Sequence, residues 1–261
     1  RIAVLGTGFR PQAGREPPAP IAACVSAGFR AELHDLRLPV FPADPAEREF
    51  TALGYIDAAL AAADDGCDGI YVNTVGDYGI ETMRALLDVP VVGAGEATML
   101  AASRLGRRFA IVTVWPPMLD FIYERVLADN DVSRRCTGLR HLSGDCDLAS
   151  LAEDTNFVTE LRAAETRRVE EAVAACRAAV AEDGADVIVI GCTCMGPVAP
   201  RISEAVDVPV LDGMTTGYRA TEYAVAAGLT ANRAAFAAHA MDRADIERRV
   251  SEALAARGMA A

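Results

Sequence analysis

Short apolar runs punctuate the chain, and stretches with helical spacing separate them. Residues 1–5, 29–34, 68–73 and 90–93 are apolar or alternating and are bounded by Gly, Pro or Asp, which predicts strands. Between them the patterns at 18–28, 52–64 and 80–87 predict helices. A second set opens with a strand at 109–114 and a helix at 117–129. A long amphipathic helix over 156–182 and strands at 186–191 and 208–211 follow. Two more helices, 215–227 and 231–257, end the pattern. Strand and helix alternate, so each set predicts a parallel sheet with helices on both faces.

The two sets repeat one another. Asp68-Gly69-Ile70-Tyr71-Val72-Asn73-Thr74 has the form of Asp186-Val187-Ile188-Val189-Ile190-Gly191-Cys192, and the spacing between the copies is equal at both ends. Asp88-Val89-Pro90-Val91 recurs as Asp207-Val208-Pro209-Val210, and Arg1-Ile2-Ala3-Val4-Leu5 as Arg108-Phe109-Ala110-Ile111-Val112. The expected fold is α/β, with two pseudo-symmetric Rossmann-like lobes facing each other across a cleft. Residues 1–104 with 213–261 would form a discontinuous first lobe, and 105–212 the second. Thr74 and Cys192 become equivalents, one at each strand end.

Composition narrows the classes of partner. A net charge of −12 argues against nucleic acid, whose phosphates require clustered Lys and Arg. It does not exclude a small anion, which answers to local amides. No apolar run approaches the roughly 18–20 residues of a membrane span, and the opening residues lack a signal peptide's pattern. A cytoplasmic protein is expected. The seven cysteines are odd in number and form no CxxC pair, so they read as reduced thiols.

Ligands of parallel sheets sit at the carboxyl ends of the strands. Two loops fall there: Asn73-Thr74-Val75-Gly76-Asp77-Tyr78-Gly79 and Gly191-Cys192-Thr193-Cys194-Met195-Gly196-Pro197. Small residues let backbone amides approach a carboxylate or enolate oxygen, and the same amides stabilise a thiolate. Asp77 could serve as a general acid or base, although Asp-Tyr-Gly is also ordinary turn chemistry. Thr74 could cap a helix as well as contact a ligand. Cys194 could line the site or simply pack. Gly6-Thr7-Gly8 is too short for a dinucleotide site, and the Cys192-Thr193-Cys194 spacing has no nearby histidine to complete a metal site.

These loops resemble the aspartate/glutamate/hydantoin racemase superfamily. Thr74-Val75-Gly76-Asp77-Tyr78-Gly79 is similar to the hydantoin racemase segment Cys-Phe-Gly-Asp-Pro-Gly, with threonine for cysteine and tyrosine for proline. Gly191-Cys192-Thr193 resembles the Gly-Cys-Thr of glutamate and aspartate racemases. Residues 90–97 and 108–113 follow the hydantoin racemase branch. The resemblance implies cofactor-independent chemistry at a carbon alpha to a carboxylate or carbonyl, through an enolate-like intermediate, with Cys192 and Thr74 at the catalytic positions. It also implies no metal, a small anionic or carbonyl-containing substrate and a homo-oligomer. Phe9, Asn73, Val75, Gly76, Asp77, Thr113, Tyr123, Thr193 and Cys194 would contact the substrate. Because a threonine hydroxyl is far too weak an acid to replace a thiol, covalent attack by Cys192 on the substrate, as in maleate isomerase relatives, stays open, and so do two further outcomes. One is a single-cysteine decarboxylase resembling arylmalonate decarboxylase; the other is a silent anion-binding protein.

Overall fold

The computed structural model describes residues 1–6 and 16–236. Among the described residues, eight strands form two four-stranded parallel sheets. The first contains β1 (Ile2–Leu5), β2 (Ala31–His34), β3 (Gly69–Val72) and β4 (Val91–Gly93), in the order β2-β1-β3-β4. The second contains β5 (Phe109–Thr113), β6 (Cys136–His141), β7 (Val187–Ile190) and β8 (Val210–Asp212), in the order β6-β5-β7-β8. The orders are identical, as the repeated sequence segments predict. Register agrees too: Val72 pairs with Leu5 in one sheet and Ile190 with Val112 in the other. Every residue of β1, β3, β5 and β7 is buried, so these central strands appear as unbroken apolar runs.

Among the described residues, nine α-helices of six or more residues flank the sheets: α1 (Ala19–Cys24), α2 (Pro45–Asp64), α3 (Ile80–Leu86), α4 (Ala94–Leu105), α5 (Asp120–Asp129), α6 (Phe157–Arg162), α7 (Thr166–Ala181), α8 (Ala199–Ala205) and α9 (Gly213–Ala226). Local chemistry fixes several starts. Asp44 caps α2 by accepting the Glu47 N–H at 2.7 Å, with Pro45 at the first helical position. Asp212 caps α9 through the Thr215 N–H at 3.0 Å. Helix α9 then packs on α1, α4, β3 and β4 of the first sheet. A Cβ at Gly217 would stand 2.5 Å from the Tyr71 ring and 3.1 Å from the Ala94 Cα, so only glycine allows this approach.

Some expected elements change. The helix predicted over 156–182 is two helices, because Ala164 adopts φ 54° and separates α6 from α7. Residues 117–119 form a 3-10 turn ahead of α5. Helix α4 and strand β6 were not predicted. Of the helix expected at 231–257, Arg233–Phe236 is helical and the part from residue 237 onward lies outside the described residues, as does Phe9. Among the described residues, no helix is long and apolar enough to cross a membrane.

Candidate active site

The loops after β3 and β7 meet in one cleft. Its walls include Asn73, Thr74, Val75 and Gly76 from the first lobe and Gly191, Cys192, Thr193 and Cys194 from the second. The cavity has a volume of about 100 Å³, suited to a small molecule. A hydrogen bond from Thr193 Oγ1 to the Asn73 carbonyl, 3.2 Å long, links the two loops directly. The Thr193 hydroxyl proton is thereby committed to the protein.

Cys192 caps the 3-10 turn Thr193–Val198, its Sγ accepting the Cys194 N–H at 3.2 Å. The turn brings the Cys192 and Cys194 Cα atoms to 5.2 Å, within the usual disulfide range, and the two sulfurs are bonded. This corrects the reading of seven reduced thiols. Only Cys24, Cys67, Cys136, Cys146 and Cys176 are free. The disulfide is local to the turn, and a two-residue cysteine spacing is not a disulfide framework in sequence.

Opposite, the Thr74 hydroxyl accepts the Gly76 N–H at 3.4 Å and lies close enough to the Tyr55 hydroxyl to influence its acidity. Burial holds the Tyr55 pKa well above its ordinary value, and Thr74 opposes that rise. Asn73 is buried beneath them. The Tyr71 hydroxyl donates to the Gly213 carbonyl at 2.7 Å and lies 3.2 Å from Asn73 Oδ1. Asn73 Nδ2 is buried without a partner among the described residues. The carboxamide therefore keeps hydrogen-bonding capacity for a ligand.

Other expected substrate contacts have structural duties. Tyr123 lines the cleft, but its single hydroxyl proton goes to the Gly191 carbonyl at 2.8 Å, so Thr113 Oγ1 must donate in their 2.5 Å bond. Thr113 Oγ1 in turn accepts the Trp115 N–H at 3.1 Å. Thr113 is fully buried behind Tyr123 and is not part of the cleft wall. Asp77 also points away. Its carboxylate accepts the N–H groups of Gly95 at 2.9 Å and Glu96 at 2.6 Å, pinning the loop after β3 to the start of α4. Burial, assisted by the charge of Glu96, pushes the Asp77 pKa up despite those bonds.

The remaining wall is apolar and aromatic: Phe41, Tyr55, Trp115, Leu119, Ile122 and Val158, with Arg162 at one side. Phe41, Tyr55 and Arg162 were not among the expected contacts. The apolar, proline-rich stretch Leu36–Pro42 after β2 was the available signal for Phe41, since it too follows a strand's carboxyl end. Outside the cleft, Glu32, His34 and Cys67 bring one potential metal-ligand atom each within 4.8 Å of one another. Both Glu32 oxygens are engaged there by the Arg1 guanidinium, at 3.0 and 2.7 Å.

With this geometry in view, a family model for Asp/Glu/Hydantoin racemase matches residues 27–221. The chain belongs to the Asp/Glu/hydantoin racemase family. Hydantoin racemase from Rhizobium meliloti is 29% identical over 64% of this chain and 64% of its own length. Hydantoin racemase from Pseudomonas sp. (strain NS671) is 28% identical over 67% and 65%. The chain thus spans less than two thirds of the length of these relatives. Among family structures, allantoin racemase from Pseudomonas fluorescens superposes with a TM-score of 0.70 at 25% identity, covering 88% of this chain and 93% of that one. Allantoin racemase from Klebsiella pneumoniae gives 0.74 at 24% identity, covering 88% and 89%. A double mutant of arylmalonate decarboxylase gives 0.65 at 18% identity, covering 88% and 94%, a likeness of fold.

Proposed function

We propose that the chain is a cofactor-independent racemase or isomerase that acts at a carbon alpha to a carbonyl or carboxylate, with Cys192 as its acid and base. The supporting observation is that Cys192 and Thr74 border one cleft from opposite lobes, each at the end of a buried central strand. In the reduced state the Cys192 thiolate removes the alpha proton, leaving the negative charge on the substrate oxygen as an enolate. The resulting thiol returns a proton to carbon. Asn73, the Thr74 hydroxyl and the loop amides hold the enolate oxygens. The second face of the intermediate meets Thr74 rather than a thiol, so the sulfur alone exchanges the proton with retention, and inversion requires either water to protonate the Thr74 face or the enolate to turn over in the cleft and present that face to the sulfur.

The same one-sulfur arrangement supports a second reading. Loss of carbon dioxide from a substituted malonate makes the enolate without a base, and Cys192 then only donates.

The test is to incubate the reduced protein with hydantoins, amino acids and substituted malonates in deuterium oxide. Deuterium entering the alpha position of an enantiopure substrate together with loss of its optical activity supports the racemase reading, whereas carbon dioxide release supports the decarboxylase. Exchange that survives Cys192→Ala overturns both. Ligand binding without turnover would make the chain an anion-binding protein.

A further inference from the structure

Among the described residues lining the cleft, Arg162 alone carries a formal charge. The chain as a whole bears −12, so its distant field disfavours anions and a cation in the cleft wall is a local exception. The position is firmly set. Arg162 is the last residue of α6, whose first turn is fixed by Asn156 Oδ1 accepting the Val158 and Thr159 N–H groups at 3.0 and 3.1 Å. The same helix packs against the turn Thr193–Val198 that begins beside Cys192. The guanidinium therefore sits on the lobe that holds the sulfur, with Val158 of its own helix in the same wall.

Arg162 is exposed as a residue, yet protein atoms crowd it enough that desolvation lowers its pKa. It remains charged at neutral pH, because a guanidinium does not lose its proton in proteins. Arg162 already has an interaction within the protein. Five N–H donors leave capacity for a second partner, and the planar fork suits a carboxylate held by two bonds. The described residues of the cleft wall include no acidic side chain.

We propose that Arg162 is a specificity-determining residue that receives a carboxylate carried on the substrate's side chain, away from the carbon that Cys192 addresses. The substrate class is then an enolisable carbonyl compound with a short apolar link to a carboxylate, such as a hydantoin bearing a carboxyalkyl group at its reactive carbon. This rests on the reaction assigned to Cys192, but its test can be separated from that reaction.

Trp115 is the chain's single tryptophan and lines the cleft, so its fluorescence reports binding without turnover. The reduced full chain is titrated with hydantoin-5-acetate and with its neutral isostere, hydantoin-5-acetamide. The carboxylate should bind at least about 10-fold more tightly. Arg162→Gln should remove that preference without changing amide affinity, and Arg162→Lys should restore part of it. Alpha-proton exchange followed alongside should show KM rising and kcat kept in Arg162→Gln, with an unchanged melting temperature as the folding control. Equal affinity for the two probes, a preference that survives Arg162→Gln, or no carboxylate binding at millimolar concentration overturns the proposal. Preference for the carboxylate without exchange leaves Arg162 in its role and removes the reaction; exchange without preference does the reverse.

Discussion

At the scale of single residues, the bond between Cys192 and Cys194 decides the state in which chemistry can occur. A sulfur in a disulfide has no proton to give or take, so the reaction requires transfer of two electrons and two protons from a thiol reductant to yield two thiols. Protein purified in air and alkylated while denatured should therefore carry five adducts, one for each free cysteine, and seven after dithiothreitol. Exchange activity should appear only with the reductant, and Cys194→Ser should not need it. Seven adducts without reductant would show that the bond is absent in solution. Tyr123 supports a second residue-scale prediction. Its hydroxyl joins Thr113 to the carbonyl just before Cys192. Tyr123→Phe leaves that buried carbonyl without its donor and should cost about 1–3 kcal/mol, measured by thermal melting. Exchange should slow more than binding weakens, because the loop that aims the sulfur loses its brace.

At the scale of elements, Glu222 ties α9 to the loop after α1. Its carboxylate accepts the Ser26 N–H at 2.7 Å and Ser26 Oγ at 2.6 Å and pairs with Arg219 at 2.9 Å. Desolvation, the largest single influence, pushes the Glu222 pKa up, but the bonds from Ser26 and Arg219 together outweigh it and hold the pKa below its ordinary 4.5. An acid with a depressed native pKa stabilises the fold above its unfolded pKa and loses that contribution as pH falls through the native one. Glu222→Gln should thus lower the melting temperature at pH 7, and the gap from wild type should narrow below about pH 4.5. An equal gap at every pH would remove the charge from the explanation. The elements legible in sequence were those whose surroundings are uniform: β1, β3, β5 and β7 are buried throughout, and a continuous apolar run was enough to find them. Strand β6 escaped because Cys136–His141 is half-buried along its length and includes Gly138 and Arg140. The break between α6 and α7 falls in Ala163-Ala164-Glu165, where no glycine or proline announces it; the left-handed Ala164 closes α6 with a local cap in which the Ala164 and Glu165 N–H groups donate to the Leu161 and Glu160 carbonyls. The cleft residues Asn73, Thr74, Cys192 and Cys194 were legible from the repeat. Arg162 was not, because it reaches the site from a helix rather than from a strand end.

At the scale of the whole molecule, the cleft is divided between two sheets that share no strand pairing. What joins them is a shared apolar core, in which Val75, Met99 and Ala102 pack with Phe109, Ile111 and Tyr123, together with the Thr193 to Asn73 hydrogen bond and the contacts of α9 with the turn after Cys192. A ligand seated between Thr74 and Cys192 touches both lobes and binds only while their relative position is kept. Its free energy therefore stabilises the assembled pair rather than one half. At a ligand concentration 100 times its dissociation constant, that stabilisation is about 2.7 kcal/mol, which corresponds to a rise of about 5–11 °C in melting temperature for a chain of this size. Hydantoin-5-acetate added to the reduced protein should shift one cooperative transition upward by such an amount. If the lobes were energetically independent, two transitions would appear and the ligand would move at most one of them. That result would place the binding contacts on a single lobe and contradict a site assembled from both strand ends.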